Sequence, residues 1–171
     1  MTTAAVEGAR LVGLAPVLDA NTRLIVLGSF PGVASLRAQQ YYGHPRNHFW
    51  PILAALWGTD LVAATYPQRL AEARRRSLGL WDVYASCRRE GSLDSAIEQA
   101  RRNDLASLQQ RAPGLRAIVH NGGESARAMT HTRALGVAVL RLPSTSPANA
   151  SWSFERKLAA WRAAFEEHGM T

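Results

Sequence analysis

The fold of this chain is constrained most by three apolar segments of strand length. Each segment is followed at once by a turn of small and polar residues. They are residues 23–27 before the turn at 28–32, residues 115–119 before the turn at 121–123, and residues 137–142 before the turn at 143–149. Short apolar runs bounded by such turns are typical of strands covered on both faces, as in parallel sheets. Segments with helical periodicity separate the runs, so the sequence predicts an α/β protein.

A fourth short strand is predicted at residues 80–84, and helices fill most intervals between strands. The predicted helices cover residues 49–57, 66–77, 93–110, 124–132 and 152–168. These elements predict a three-layer α/β/α sandwich around a central four-stranded, mainly parallel sheet. Residues 1–22 carry few signals and are interpreted as a lead-in segment, and residues 23–171 as a single domain.

The composition indicates a globular protein that attracts polyanions. The 171 residues include 20 Lys and Arg against 13 Asp and Glu, a formal net charge of +7, and Lys157 is the one lysine. A GC-rich genome explains the preference for Arg but less readily the excess over acidic residues, so nucleic acid is the favoured partner. The single cysteine, Cys87, provides neither an internal disulfide nor a thiolate metal site by itself. We expect a cytoplasmic monomer, nucleoid-associated in a bacterium, that uses no cofactor, metal or membrane.

The three strand-to-turn junctions are expected to lie close together. In a parallel sheet the carboxyl ends of the strands emerge at one edge, which is where open α/β sheets place ligands. The first junction leads into residues 41–50, a stretch rich in aromatic, His and Asn residues that reads YYGHPRNHFW. The sequence therefore predicts one pocket at this edge of the sheet.

Four motifs resemble, in order and spacing, those of the uracil-DNA glycosylase superfamily. They read GSFPG at 28–32, YYGHPRNHFW at 41–50, HNGG at 120–123 and LPSTSPANA at 142–150. The second is similar to the aromatic-x-HPxNxFW stretch of the mismatch-specific branch, and the combination is most similar to the hypoxanthine-DNA glycosylase branch. The resemblance implies an enzyme that hydrolyses the N-glycosidic bond of an altered base in DNA.

The resemblance implies that an amide and an aromatic ring hold an everted base. Asn121 can accept from one ring N–H and donate to the neighbouring carbonyl, which fits hypoxanthine and uracil equally. The alternative use of Asn121 is to cap the following helix. Tyr42 is expected to stack on the base, and its alternative is core packing. Phe30 and Gly28 are expected to line the same pocket.

Asn47 is the remaining candidate for catalysis, because two helpers of related enzymes are absent. Phe30 stands where several branches place Asp or Asn to hold the attacking water. Leu142 stands where others place a histidine that stabilises the departing base. The hypoxanthine branch implies a catalytic Asn47 that orients water or the sugar, together with Asn121. The alternative, compatible with the first, is that Asn47 caps the helix beginning near Phe49.

Four further residues are expected to set the pocket size and to contact DNA. Uracil-specific enzymes place Tyr at the position of Gly32, so glycine there favours a purine; the alternative is a glycine needed only for the turn. Ser144, Ser146 and Asn149 are predicted DNA contacts, with plain turn formation as the alternative.

The predicted function is a monofunctional DNA glycosylase that acts on deaminated bases, hypoxanthine above all. One alternative is a mismatch-specific uracil or thymine glycosylase, and another is a non-catalytic DNA-binding relative that lacks the two helpers. A nucleotide-binding protein is the weakest alternative, because neither a Walker lysine nor a GxGxxG spacing is present. Lys157 is predicted to lie in the terminal helix away from the junctions, which argues against Schiff-base chemistry. Asp82 has no visible partner for acid–base catalysis and receives no role.

Overall fold

The structure is a computed structural model that describes residues 9–171. In chain order the strands are β1 (Leu11–Val12), β2 (Leu24–Gly28), β3 (Leu78–Asp82), β4 (Tyr84–Arg88), β5 (Glu98–Arg102), β6 (Ala117–Asn121) and β7 (Ala138–Leu142). The helices are α1 (Val33–Ala38), α2 (Phe49–Trp57), α3 (Tyr66–Arg75), α4 (Leu108–Arg111), α5 (Gly123–Ala126), α6 (Met129–Thr132) and α7 (Phe154–Glu167). None of these helices is long and apolar enough to cross a membrane.

Four strands form the central sheet, in the order β3-β2-β6-β7, and each neighbouring pair is parallel. Every residue of β2, β3 and β6 is buried, which explains why these strands appear in the sequence as apolar runs rather than as alternating patterns. The predicted four-stranded parallel sheet is confirmed.

The two faces of the sheet carry separate hydrophobic cores. Leu24 and Val26 of β2 pack with α2 and α7 on one face. Ile25 and Leu27 point to the other face, where they pack with residues 105–112 and 128. Because successive side chains of a strand alternate between faces, one strand contributes to both cores. The predicted three-layer sandwich is confirmed.

A second, antiparallel sheet replaces part of a predicted helix. Strands β1, β4 and β5 pair in the order β1-β4-β5, so the helix predicted at 93–110 is wrong. Its middle is β5, and α4 covers only its last turn. All five residues of β5 are exposed, and Gln99 has φ 51° where the register with β4 shifts. An exposed, irregular edge strand has no apolar periodicity that a sequence can reveal.

Two other boundaries differ from those predicted. The helix predicted at 124–132 is divided into α5 and α6, and the strand predicted at 80–84 lies at Leu78–Asp82. Within the predicted lead-in, Leu11–Val12 pairs with β4, and Val17 forms a bridge with Leu80. Residues 1–8 lie outside the described residues, and the division into a lead-in and a single domain stays a prediction.

Candidate active site

One cavity of about 710 Å³ opens at the carboxyl edge of the central sheet. It is lined by residues of all three junctions and of the 41–50 stretch. Every predicted site residue contributes to it: Gly28, Phe30, Gly32, Tyr42, Asn47, Asn121, Ser144, Ser146 and Asn149. The expected convergence of the junctions is confirmed, whereas the roles of these residues stay predictions.

The floor of the cavity is a row of strand-end residues. Asp82 of β3 pairs in register with Gly28 of β2, and Asn121 of β6 pairs with Leu142 of β7. Leu27 pairs with His120, which places Asn121 level with Gly28. Adjacent strands lie about 4.8 Å apart, so the carboxyl of β3 and the amide of β6 flank a gap of roughly two strand spacings.

The Asn121 amide is held in one orientation by Thr145. Its Oδ1 accepts a hydrogen bond from the Thr145 backbone N–H at 3.0 Å, and its Nδ2 donates to Thr145 Oγ1 at 3.0 Å. Helix α5 has Gly122 at its N-cap, with no side-chain cap, so Asn121 does not serve as the cap. One N–H and one oxygen lone pair of the amide remain for a ligand.

Tyr42 presents one ring face to the cavity. Its other face stacks on the fully buried Phe49, with ring centroids 4.0 Å apart. Its hydroxyl is buried and has no hydrogen-bond partner within residues 9–171. Burial raises the pKa of Tyr42, and the charge of Asp82 raises it further. The nearby Asn121 amide lowers this pKa, although the Tyr42 hydroxyl and the amide do not form a hydrogen bond. The ring is thus fixed in place with one free face.

Asn47 lies at the cavity wall and also forms a hydrogen bond to the start of α2. Its Oδ1 accepts from the Phe49 backbone N–H at 2.9 Å, at the first residue of α2. The N-cap of α2 is His48, with no side-chain cap, so Asn47 does not occupy the predicted cap position and instead bonds to the first helical N–H from the residue before the cap. With Oδ1 engaged, the Nδ2 group is the part of this amide that can donate to a ligand.

Phe30 and Gly32 both lie against residues that the motifs did not include. Phe30 is 6% exposed, and the Arg89 guanidinium carbon lies 5.3 Å from its ring centroid. A Cβ at position 32 would lie 3.3 Å from Ser92 Oγ. The small size of Gly32 thus makes room for Ser92 as well as for a ligand.

The third turn holds its shape through its own polar side chains. Ser144 Oγ accepts from the Ser146 backbone N–H at 3.2 Å, and Ser146 Oγ accepts from Ala148 N–H at 3.1 Å. Asn149 Nδ2 donates to the Ser144 carbonyl at 3.0 Å. All three side chains that were predicted to contact DNA therefore form hydrogen bonds within the turn. The hydroxyl hydrogens of Ser144 and Ser146 stay available to donate to a ligand.

A sequence model described as the uracil DNA glycosylase superfamily matches residues 15–166, which contain all four motifs. The chain belongs to the uracil-DNA glycosylase superfamily. Proteins named hypoxanthine DNA glycosylase from Methanosarcina barkeri and Methanosarcina acetivorans are each 39% identical to it. Both matches cover 90% of this chain, and 97% and 96% of the respective relative. A solution NMR structure from Methanosarcina acetivorans, described as a candidate uracil DNA glycosylase, has a TM-score of 0.85 and 37% identity, and the match covers 94% of this chain and 99% of that one.

This superfamily member has apolar side chains at both positions where related branches place catalytic helpers, as the sequence indicated. Phe30 and Leu142 line the cavity and are buried, at 6% and 8% exposure. Neither side chain can hold water or donate a proton. Polar chemistry in the cavity must therefore come from other residues.

Asp82, for which the sequence predicted no role, has its carboxyl on the floor of the cavity. Asp82 is 5% exposed, and its Oδ2 is buried without a hydrogen-bond partner within residues 9–171. Burial, and then the nearby charge of Asp94, raise the pKa of Asp82 to about 7. Asp94 also lines the cavity and accepts a hydrogen bond from Ser29 Oγ at 2.6 Å. Asp82 ends β3 as Asn121 ends β6, but this strand was predicted at 80–84, so the strand-end rule pointed to Tyr84 instead.

The prediction that Lys157 lies away from the junctions is wrong. Its Nζ lies 3.2 Å from the Ser146 carbonyl and 3.2 Å from His48 Nδ1, because α7 packs beneath the third turn. Lys157 is 1% exposed, burial lowers its pKa, and it is not among the residues that line the cavity. Its amine supports the turn from behind instead of facing the place where a ligand would bind.

Proposed function

We propose that this chain is a monofunctional DNA glycosylase that hydrolyses the N-glycosidic bond of deaminated purines in DNA, hypoxanthine above all. The observation that carries the proposal is the convergence of Tyr42, Asn47 and Asn121 on one cavity. The names of the two Methanosarcina relatives support the same substrate. The net charge of +7 favours association with the phosphate backbone.

The base enters first with the edge opposite its glycosidic bond. The polar groups of Asn121 and Asp82 on the floor are less than 10% exposed, and the free face of Tyr42 offers a stacking surface worth about 1–3 kcal/mol. The remaining N–H of Asn121 donates to the O6 carbonyl of hypoxanthine, and its free lone pair accepts from N1–H. The base must leave the helix to reach this floor.

The sugar stays near the more exposed wall of the cavity. Asn47, Ser144 and Ser146 are partly exposed there, and their remaining N–H and O–H groups can donate to the sugar, to water or to phosphate. Positive charge develops at C1′ as the bond breaks, and DNA phosphates help to stabilise it. Since Lys157 does not face the cavity, water is the nucleophile and no Schiff base forms.

The test is single-turnover base release from matched duplexes that each contain one deoxyinosine, deoxyxanthosine, G:U or G:T site. We expect release of hypoxanthine and no strand cleavage before alkali treatment. Asn47→Ala and Asn121→Ala should each reduce release by at least about tenfold, whereas Asn21→Ala, an exposed asparagine outside the cavity, should not. Binding without release from any duplex would instead establish the non-catalytic alternative.

A uracil or thymine glycosylase is the second candidate, because the donor and acceptor left on Asn121 fit the O4 and N3–H edge of uracil as well. The same panel decides between them. Faster release from G:U or G:T than from deoxyinosine would show that uracil or thymine, and not hypoxanthine, is the principal substrate. An abundant borohydride-trapped adduct would contradict the monofunctional part of the proposal.

A further inference from the structure

The carboxyl of Asp82 occupies the floor of the cavity at the end of β3. It faces Gly28, since a Cβ built at that glycine would lie 2.5 Å from Asp82 Oδ1 and 3.3 Å from the Tyr42 hydroxyl. The absence of a side chain at Gly28 therefore leaves the acid uncovered on the cavity side. Asp82 and Asn121 stand on either side of β2, at the two ends of the floor.

No basic side chain neutralises this acid through a hydrogen bond among the described residues. Asp82 Oδ2 is buried and unpartnered. Among residues 9–171, Arg89 from the segment after β4 is the positive group that acts on Asp82, and it donates instead to the Pro31 carbonyl. Asp94, from the turn before β5, adds a second negative charge. A buried carboxyl in these surroundings favours its neutral form.

The remaining neighbours of Asp82 do not supply a proton-accepting or neutralising group. Tyr41 and Tyr42, from the stretch before α2, are phenols whose pKa the Asp82 charge raises, after burial. On the neighbouring strand β2, Gly28 has no titratable group, and Asn103 donates to the Asp82 backbone carbonyl, not to its side chain. A proton on Asp82 would therefore be transferred to a group in the cavity.

A purine is a poor leaving group as an anion, and protonation of a ring nitrogen makes it a better one. Phe30 and Leu142 cannot provide this proton. We propose that Asp82 is the general acid of the reaction, which donates its carboxyl proton to a ring nitrogen of the departing purine. This inference rests on the proposed function, and it makes Asp82 a catalytic residue that touches the base.

The step balances without any further reactant. The N9–C1′ bond breaks and its electron pair goes to the purine, while the Asp82 proton moves to the ring nitrogen. Hypoxanthine then leaves as a neutral molecule. Water forms the new bond to C1′, and the proton that it loses returns through solvent to the Asp82 carboxylate.

The first experiment measures single-turnover release of hypoxanthine from a deoxyinosine duplex between pH 5 and pH 9. The wild-type rate should fall about tenfold per pH unit once the acid ionises. Asp82→Asn should be slower by about 10²- to 10⁴-fold at pH 6 and should lack this alkaline decrease. Asp94→Asn should keep the decrease but shift it to lower pH, because a negative charge beside Asp82 has been removed. This second variant keeps the test valid even if Asp82→Asn fails to fold.

The second experiment identifies the receiving atom with 7-deaza- and 3-deaza-deoxyinosine duplexes. Each analogue lacks one ring nitrogen, so the ratio of wild-type to Asp82→Asn rates is compared among the three substrates. The ratio should be large for deoxyinosine, about one for the analogue without the receiving nitrogen, and large for the other analogue. An unchanged ratio with both analogues overturns the proposal.

Failure of the proposed function and failure of the Asp82 assignment give different results. If the wild type releases no hypoxanthine, the proposed function is wrong. If the wild type releases it and Asp82→Asn matches both its rate and its pH profile, only the role of Asp82 is wrong. An equal loss at every pH, with the alkaline decrease retained, shows that Asp82 has a structural role and also overturns the assignment.

Discussion

The protonation of Asp82 should appear in the stability of the protein as well as in its activity. The native pKa is raised from 3.8 to about 7, a difference of about 3 units at ~1.36 kcal/mol each. Because the folded pKa is raised, the stabilisation is fully present below the unfolded pKa and is lost as pH rises through the folded one. Ionisation of Asp82 should therefore cost the native state about 4 kcal/mol at high pH.

Asp82→Asn removes the titrating group and keeps its size. The free energy of unfolding of the variant, relative to the wild type, should increase by about 3 kcal/mol between pH 5 and pH 8. Urea denaturation followed by tryptophan fluorescence measures it, provided that the m-value stays constant. The matched control is Asp60→Asn, which removes one carboxylate at an exposed position outside the cavity.

A pH-independent difference between Asp82→Asn and the wild type would falsify the claim that this carboxyl is desolvated in the native state. The expected result separates stability from catalysis, because the variant should be more stable at pH 8 and yet less active. Unfolding then cannot explain the lower activity of Asp82→Asn. Such opposition is typical of a buried charge kept for function.

Three further variants test other parts of the structure. His120 is fully buried, and burial is the chief reason why its pKa is lowered to about 4. Because the folded pKa is depressed, the free energy of unfolding of the wild type should decrease by about 3 kcal/mol as pH falls from 6.5 to 4. Urea denaturation of His120→Gln should show no such decrease. Thr145→Val removes one hydrogen bond to Asn121 but keeps the backbone N–H, so kcat/KM for deoxyinosine should fall by roughly fivefold, about 1 kcal/mol, and an unchanged value would mean that Thr145 does not orient the amide. Lys157→Met removes the donor to the third turn, and fluorescence anisotropy should show weaker binding to a deoxyinosine duplex; equal affinity would contradict a supporting role for Lys157.

The location of the cavity was predictable from the sequence because buried parallel strands are continuous apolar runs. Residues 24–28 and 117–121 each end in a turn, and the geometry of a parallel sheet brings such ends to one edge. Asn121 follows directly from this rule. The strand β5 was not predictable, because its exposed residues Glu98–Arg102 carry no apolar periodicity.

The sequence could not predict which polar side chains are buried or which hydrogen bonds they form. Asp82 looks like an ordinary acid after Trp81, and only its packing shows that Oδ2 is buried without a partner. Thr145 lies in a turn full of hydroxyl residues, and nothing local distinguishes it as the partner of Asn121. Lys157 was misplaced because the position of α7 under the third turn depends on tertiary packing.

Gly28 and Asp82 are subject to one steric constraint, although they lie on different strands. The backbone of Gly28 does not require glycine, because its φ is not positive. Its lack of a side chain matters because a Cβ would lie 2.5 Å from Asp82 Oδ1 and 3.3 Å from the Tyr42 hydroxyl. The first glycine of the GSFPG turn is therefore dictated by an acid on the next strand.

This coupling can be measured with a double-mutant cycle at pH 5, where Asp82 is protonated in the native state. Gly28→Ala alone should destabilise the protein by about 1–3 kcal/mol through overpacking. In an Asp82→Ala background the same substitution should cost clearly less, because the closest clash has gone and the 3.3 Å contact with the Tyr42 hydroxyl remains. Equal costs in the two backgrounds would mean that the glycine serves the turn itself, and that the acid and the glycine are independent features of the site.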